Sequence, residues 1–180
     1  MKIYLIRHAV SIDGQNKISQ RDNSPLVKNI STMLPSIKPD KVFCSPILRA
    51  KQTAELLFPD SFEVLDYIYE YQRPRFLTGK GKEEADIFWK TGIEKMKEDS
   101  SWSCDGSESF LEIKNRALRL LSFLESLNLE SVAIIGHGIF FRYLIGINTM
   151  GENFDQVASI KIMKDLKWAN LELKEIEIDK

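Results

Sequence analysis

The chain predicts a single α/β domain in three layers, a mostly parallel sheet with helices on both faces, on the strength of three observations. Short apolar runs alternate with amphipathic segments along the whole length, the pattern of a sheet covered by helices. Two of the runs, Ile3-Tyr4-Leu5-Ile6 and Val132-Ala133-Ile134-Ile135, are continuous enough to be strands buried on both faces. Each run ends in a histidine segment, Arg7-His8-Ala9 and Gly136-His137-Gly138, and these are the only two histidines in 180 residues. In an open α/β sheet, ligands bind beyond the carboxyl ends of parallel strands, so two histidines at two such ends point to one site.

The remaining elements follow in order. After the first strand, a polar loop runs through Asn23-Ser24, and a short helix is expected from Pro25, whose fixed φ suits a first helical turn, until Pro35 and Pro39 end it. Lys41-Val42-Phe43-Cys44 reads as a second strand, and Ser45-Pro46 as the cap and first turn of a helix reaching about Phe58. Residues 62–69 carry the β-branched and aromatic side chains of a third strand, and 71–81 is a loop marked by Pro74, Gly79 and Gly81. A helix is expected from Glu83 to Glu98. A stronger one runs from about Ser107 to Leu127, with Phe110, Ile113, Ala117, Leu121 and Leu124 along one face. Another helix starts near Ile139, after the 132–135 strand. The tail reads as a terminal β-pair, Val157 to Met163 and Ala169 to Ile178.

Composition narrows the function classes. With 43% hydrophobic and 28% charged residues, the chain supports one well-buried core, taken as a single domain over 1–180, with residues 66–106 expected to cover the substrate. A formal net charge of −1 gives no reason to expect nucleic acid or an anionic membrane as a partner. The N-terminal apolar run is broken by Arg7 and His8, too short for a signal core or a membrane span, so a cytoplasmic protein is expected. Cys44 and Cys104 are too few for a disulfide framework, and no Cys/His cluster has ligand spacing, so no metal or cofactor is expected.

Position then suggests chemistry. Arg49 lies one turn inside the helix after the second strand, where its guanidinium can reach back over the sheet edge toward Arg7 and the histidines. Two arginines, a protonated His137 and helix-start amides suit a dianionic phosphoryl group. An imidazole held against phosphorus can attack it and form a phosphohistidine, with His8 as nucleophile and fixed arginines stabilising the charge that builds on the equatorial oxygens. An alkoxide leaving group needs a general acid, worth roughly 10²–10⁴-fold. Glu70 is the candidate, partly desolvated by Tyr69 and Tyr71, with Asp66 and Glu108 as fallbacks.

These residues resemble the histidine phosphatase superfamily, the phosphoglycerate-mutase-like fold, over most of the chain. Leu5-Ile6-Arg7-His8-Ala9 looks like its Arg-His-Gly motif, and Ser45-Pro46-Ile47-Leu48-Arg49-Ala50-Lys51-Gln52-Thr53-Ala54 is similar to its Ser-Pro-Leu-x-Arg-Ala-x-Gln-Thr-Ala segment. Gly106-Ser107-Glu108-Ser109 resembles the family's Gly-Glu-Ser region, Gly136-His137-Gly138 its second-histidine motif, and Ser24-Pro25-Leu26 its Pro-Leu-Thr segment. The resemblance implies His8 as nucleophile, Arg7, Arg49 and His137 as the phosphate pocket, and Glu70 as proton donor. Three departures matter. Ala9 replaces the commoner glycine; Ser11-Ile12-Asp13-Gly14-Gln15-Asn16 lacks the mutase branch's Trp-Asn; and Tyr69-Glu70-Tyr71-Gln72-Arg73-Pro74 departs from the usual acid loop. The chain is also shorter than mutases of this type, which favours an open pocket and hydrolysis.

The expected function is therefore a metal-independent phosphomonoester hydrolase acting on a small molecule or a phosphoprotein. The alternatives are a phosphoryl mutase and a catalytically silent phosphate-binding protein. Each residue also has a plainer reading: His8 or His137 as a hydrogen-bonded core histidine, Arg49 as a surface arginine paired to Glu55, Glu70 as a solvated loop carboxylate, and Arg142 as structural. Arg73 and Arg75 are either substrate contacts or exposed. Cys44 to Arg49 has four intervening residues where a cysteine-phosphatase loop needs five, and Gly79-Lys80-Gly81-Lys82 lacks P-loop spacing.

Overall fold

A computed structural model describes residues 1–19, 21–28, 30 and 36–178. Five strands form one sheet: β1 (Lys2–Arg7), β2 (Lys41–Cys44), β3 (Glu63–Val64), β4 (Ser131–Gly136) and β5 (Leu173–Glu177), in the order β3-β2-β4-β1-β5. All neighbours are parallel except β5, which runs antiparallel to β1 at the edge. The helices are α1 (Ile12–Gln15), α2 (Leu48–Leu57), α3 (Lys82–Glu98), α4 (Phe110–Glu125), α5 (Gly138–Met150) and α6 (Gln156–Asp165). Among the described residues, no helix is long and apolar enough to cross a membrane.

Side-chain alternation divides the core into two layers. Ile3, Leu5, Phe43, Val132 and Ile134 face one side, where they pack with Ile113, Leu120 and Leu124 of α4 and Phe140, Phe141 and Leu144 of α5. Ile6, Val42, Cys44, Ala133 and Ile135 face the other side, against Ala50 and Ala54 of α2. Both faces are thus covered, as the unbroken apolar runs require. The chain leaves β1 toward β2 on one side and leaves β4 toward β5 on the other. These opposed exits make the β1/β4 boundary the place where a crevice opens at the strand ends.

Several expectations fail locally. Pro25 opens no helix: residues 25–28 are extended or bent, and Leu26 bridges Ser11, while 29 and 31–35 lie outside the described residues. The reason is that this segment's amides are taken up elsewhere, Leu26 N by Gln52 Oε1 and Val27 N by the Val10 carbonyl. The 62–69 strand shrinks to Glu63–Val64 because the chain turns back at 65–68, where Ile68 N bonds the Leu65 carbonyl. The α4 helix starts at Phe110 and not at Ser107, fixed by a capping box in which Ser109 and Glu112 satisfy each other's amides. Finally, Val157 to Met163 is helical: Asp155 caps α6 through Ala158 N, and Ser159 and Ile160 are its buried residues. Its β-branched residues favoured a strand by propensity, and the cap and packing on α5 override that preference.

Gly146 in α5 packs closely against Phe154. A Cβ there would stand 2.2 Å from the ring of Phe154, itself fully buried. Alanine gains about 1 kcal/mol over glycine in a helix, and overpacking of this severity costs about 1–3 kcal/mol or more, so Gly146→Ala is expected to lower the urea unfolding midpoint. Adding Phe154→Leu to make room should recover part of that loss; equal or higher stability of Gly146→Ala alone would contradict the packing described.

Candidate active site

The register of β1 on β4 pairs Arg7 with Gly136, so the next residues, His8 and His137, leave neighbouring strands side by side. His8 N closes the ladder on the Gly136 carbonyl at 2.9 Å, and the two imidazole centroids are 5.1 Å apart. Both rings are buried, with 1% and 0% of their residues' surface exposed.

The partners of His8 fix its tautomer. Nδ1 lies 2.7 Å from the Ala9 carbonyl, which can only accept, so Nδ1 carries the proton and Nε2 keeps its lone pair. Arg49 Nε donates to that lone pair at 3.1 Å, and Arg49 Nη1 donates to the Arg21 carbonyl at 3.0 Å. Burial, then His137 and Arg49, push the His8 pKa well below its ordinary value. Burial, then Arg49 and Arg7, do the same to His137. Complete burial and two guanidinium groups therefore disfavour the protonated His137 that suited the phosphoryl group in the sequence reading. Its Nε2 sits 2.7 Å from Ser45 Oγ, while its buried Nδ1 has no hydrogen-bond partner.

Arg7 donates from Nη1 to the Trp168 carbonyl, and its buried Nε has no partner. Burial lowers the pKa of Arg7 and of Arg49, and the charge of Glu70 opposes the shift in both. Neither loses its proton under ordinary conditions. Arg7, Arg49 and Glu70 line a cleft of about 620 Å³, whose wall also carries Arg21, Arg73 and Arg75.

Glu70 does reach the site, but through a different environment from the one expected. Its Oε1 accepts from Phe140 N at 3.2 Å and Tyr71 N at 3.0 Å, and Oε2 from Ile139 N at 3.4 Å, so the carboxylate sits at the N-terminus of α5. The flanking tyrosines line the same cleft, Tyr69 with its ring under the Arg116 guanidinium and Tyr71 beside Trp89. The fallback carboxylates are excluded by position. Asp66 is exposed and does not line the cleft. Glu108 is buried in a two-pronged ion pair with Arg116 and also accepts from Gln72 N at 3.1 Å.

Arg116 in turn donates to the Tyr67 and Tyr69 carbonyls at 2.8 and 3.0 Å, so the Arg116–Glu108 pair grips the backbone on both sides of Glu70. Arg142 proves structural, but its partners are the Leu166 and Gly138 carbonyls and not a carboxylate. Burial drives the Cys44 thiol up to about 12, as befits an inert strand residue. Of the 66–106 region, residues 69–73, 75, 78 and 106 line the cleft, whereas Phe88, Trp89 and Trp102 pack on one another.

Several contributors lay beyond the sequence reading. Ser45, expected as the helix cap, is instead the partner of His137; Ile47 takes the cap position. Thr53 accepts from Ala9 N at 2.9 Å, and Asn170 donates to the His8 carbonyl at 2.8 Å, so both hold the histidine's backbone. Ser19, Arg21 and Asp22 also line the cleft. The Gln-Thr of the Arg49 segment was the available signal for Thr53; nothing local marked Asn170. Among the described residues, no group of three His, Cys, Asp or Glu side chains is placed to hold a metal ion.

A buried pair of imidazoles flanked by arginines thus stands at the ends of two parallel strands of an α/β sheet. The chain belongs to the histidine phosphatase superfamily, branch 1, whose family model matches residues 3–179. It is similar in fold to the alpha-ribazole phosphatase from Shigella flexneri, with 19% identity over 100% of this chain and 92% of that one at a TM-score of 0.73. YhfR from Bacillus stearothermophilus is similar at 17% identity, covering 99% and 91%, with a TM-score of 0.75. A mycobacterial glucosyl-3-phosphoglycerate phosphatase, in complex with VO3, is similar at 15% identity over 98% and 92%, with a TM-score of 0.73. No curated protein sequence matches the chain.

The two depressed histidines make stability depend on pH with a definite sign. Both folded-state pKa values lie below the unfolded value of about 6.5. Above that value neither state binds the protons; below it the unfolded chain takes up protons that the folded one refuses. Stability is thus fully present above about pH 6.5 and falls as the pH drops, by up to about 1.4 kcal/mol per pH unit for each histidine. Asp13, held at about 2 chiefly by its hydrogen bonds from Arg21, titrates far below this window. Urea midpoints at pH 7 and 5.5 should differ in this direction, and His137→Asn should flatten the slope. A midpoint flat across the window would contradict the burial of neutral histidines.

Proposed function

We infer that the chain is a metal-independent phosphomonoester hydrolase that passes its phosphoryl group through His8. The observation that carries the reading is the bonding of His8, whose Nδ1 is tied to the Ala9 carbonyl while a neutral Nε2 lone pair is held beside the Arg49 guanidinium. A nucleophile needs a lone pair at working pH, and depression of the His8 pKa supplies one. Attack requires Arg49 to release Nε2, and the dianionic phosphoryl group offers that guanidinium a stronger, two-pronged partner.

In the first step, the Nε2–P bond forms and the ester P–O bond breaks, with a proton passing from Glu70 to the leaving alkoxide. Glu70 Oε2, whose one contact is long at 3.4 Å, is the atom available to carry that proton. In the second step, water attacks the phosphohistidine, Glu70 takes a proton from it, and the N–P bond breaks to give inorganic phosphate and free His8. Arg7 and Arg49 stabilise the equatorial oxygens throughout. When Ser45 donates to His137 Nε2, the unpartnered Nδ1 carries a hydrogen for a third contact. Superfamily membership supports the reading.

The test is phosphate release from a panel of phosphomonoesters in EDTA. The parent protein is expected to turn over and His8→Ala to fall below detection. Glu70→Gln should lose about 10²-fold or more on alkyl esters and markedly less on p-nitrophenyl phosphate, whose leaving group needs no acid. Activity retained by His8→Ala, or no phosphate release by the parent, would overturn the reading; in the latter case, transfer to an added hydroxyl acceptor would identify a mutase.

A further inference from the structure

The cleft is far more cationic than one phosphoryl group requires. Five arginines, Arg7, Arg21, Arg49, Arg73 and Arg75, line it against two carboxylates, Asp22 and Glu70, in a chain whose formal net charge is −1. Like charges gathered in one cleft raise a positive field that favours an anionic ligand. Arg7 and Arg49 serve the histidines. Arg21 is neutralised by Asp13, which it grips through Nε and Nη2 at 3.0 and 2.7 Å. Arg73 and Arg75 are left over, and among the described residues neither has a carboxylate within ion-pair distance.

Nearby acids are committed elsewhere, and this keeps the two arginines unpaired. The Asp105 carboxylate accepts from Phe76 N at 2.8 Å, and Glu70 is bound to the amides of Tyr71, Ile139 and Phe140. Asp22 is the one remaining wall carboxylate, and its charge acts on Arg49.

Arg73 is nonetheless held by its side chain and Arg75 by its backbone. Arg73 Nη1 donates to Ser19 Oγ at 3.3 Å, its Nε is buried without a partner, and its charge is felt at both Arg7 and Arg49. Arg75 N is anchored on the Asp105 carbonyl at 3.1 Å, and its guanidinium lies over Gly106, where φ is +73° and a Cβ would stand 2.9 Å from Arg75 Nε. A backbone cradle that carries a cation to a cleft wall and leaves it without an anion is the arrangement of a ligand subsite.

Resting on the hydrolase reading, we propose that Arg73 and Arg75 form a second anion subsite in the same cleft as Arg7 and Arg49, so that the substrate is a phosphomonoester bearing a second anionic group, a carboxylate or another phosphate. The reacting phosphoryl sits over His8 with Arg7 and Arg49, and the second anion lies along the wall at 73–75. Alkyl phosphates whose chain carries no charge fill only the first subsite.

Binding measured by calorimetry separates this inference from turnover. The probes are short alkyl chains of graded length carrying a phosphonate at one end, phosphonates at both ends, or a phosphonate and a carboxylate. At its best length a doubly anionic probe is expected to bind about tenfold or more tightly than the monophosphonate, with the better end group identifying the second anion. Arg73→Met/Arg75→Met should reduce that preference to within about threefold, with a smaller loss of monophosphonate affinity from the charge removed near Arg7 and Arg49. Arg75→Met alone, which alters an exposed side chain, should show a partial loss even if the double variant folds poorly. Equal binding of single and double anions by the parent protein would overturn the subsite, as would variants that weaken both probe classes equally. Preference for doubly anionic probes without phosphate release from any ester would uphold the subsite and reject the hydrolase.

Discussion

The site depends on one register, the pairing of β1 with β4 that sets Arg7 against Gly136. Parallel strands in this register end together, and the residue after each end is a histidine. A slip of one residue would turn every β1 side chain to the other face of the sheet, placing Ile3 and Leu5 toward α2 and Ile6 toward α4. The register that separates the two core layers is therefore the one that brings the imidazoles to 5.1 Å. The antiparallel edge strand contributes as well: the connection into β5 carries Trp168 and Asn170, which hold Arg7 and the His8 backbone.

Burial determines the charge state of the site, and the effects oppose one another. The arginines are buried deeply enough for desolvation to lower their pKa values, yet they stay charged because guanidinium starts so high. The histidines start near neutrality, so the same burial with cations beside them leaves them uncharged. The outcome is a site of fixed positive charge around two neutral imidazoles, which suits an incoming dianion and a nitrogen nucleophile together.

Much of this was legible in the sequence for a physical reason. Doubly buried strands read as continuous apolar runs, and the residues at their ends must do something other than pack, so Arg7, His8 and His137 stood out. Arg49 was legible through its extended segment. The errors fall where tertiary contacts decide. Val157 to Met163 has strand propensity, but Asp155 and the α5 surface make it a helix. Protonation of His137 depends on how deeply the ring is buried and on which cations surround it, neither of which a linear pattern encodes. Asn170 acts across 162 positions of sequence, and no local signal marks such a contact.

The second glutamate shows how a buried ion pair shapes the site without touching substrate. Glu108 and Arg116 are costly to desolvate, and a pair of this kind contributes little net stability by itself. Removing one partner, however, strands the other's charge, at a cost of about 3–5 kcal/mol. Here the pair also spends its remaining hydrogen bonds on the backbone at residues 67, 69 and 72, on either side of Glu70. Ile68 and Tyr71 anchor the Glu70 loop in the core, and these charge-assisted bonds together with the α5 amides add the directional contacts that place its carboxylate. Arg73 and Arg75 leave the same gripped segment. One buried pair therefore fixes both the carboxylate proposed to move the proton and the arginines proposed to hold the second anion, coupling the proton donor's placement to the wall of the cleft.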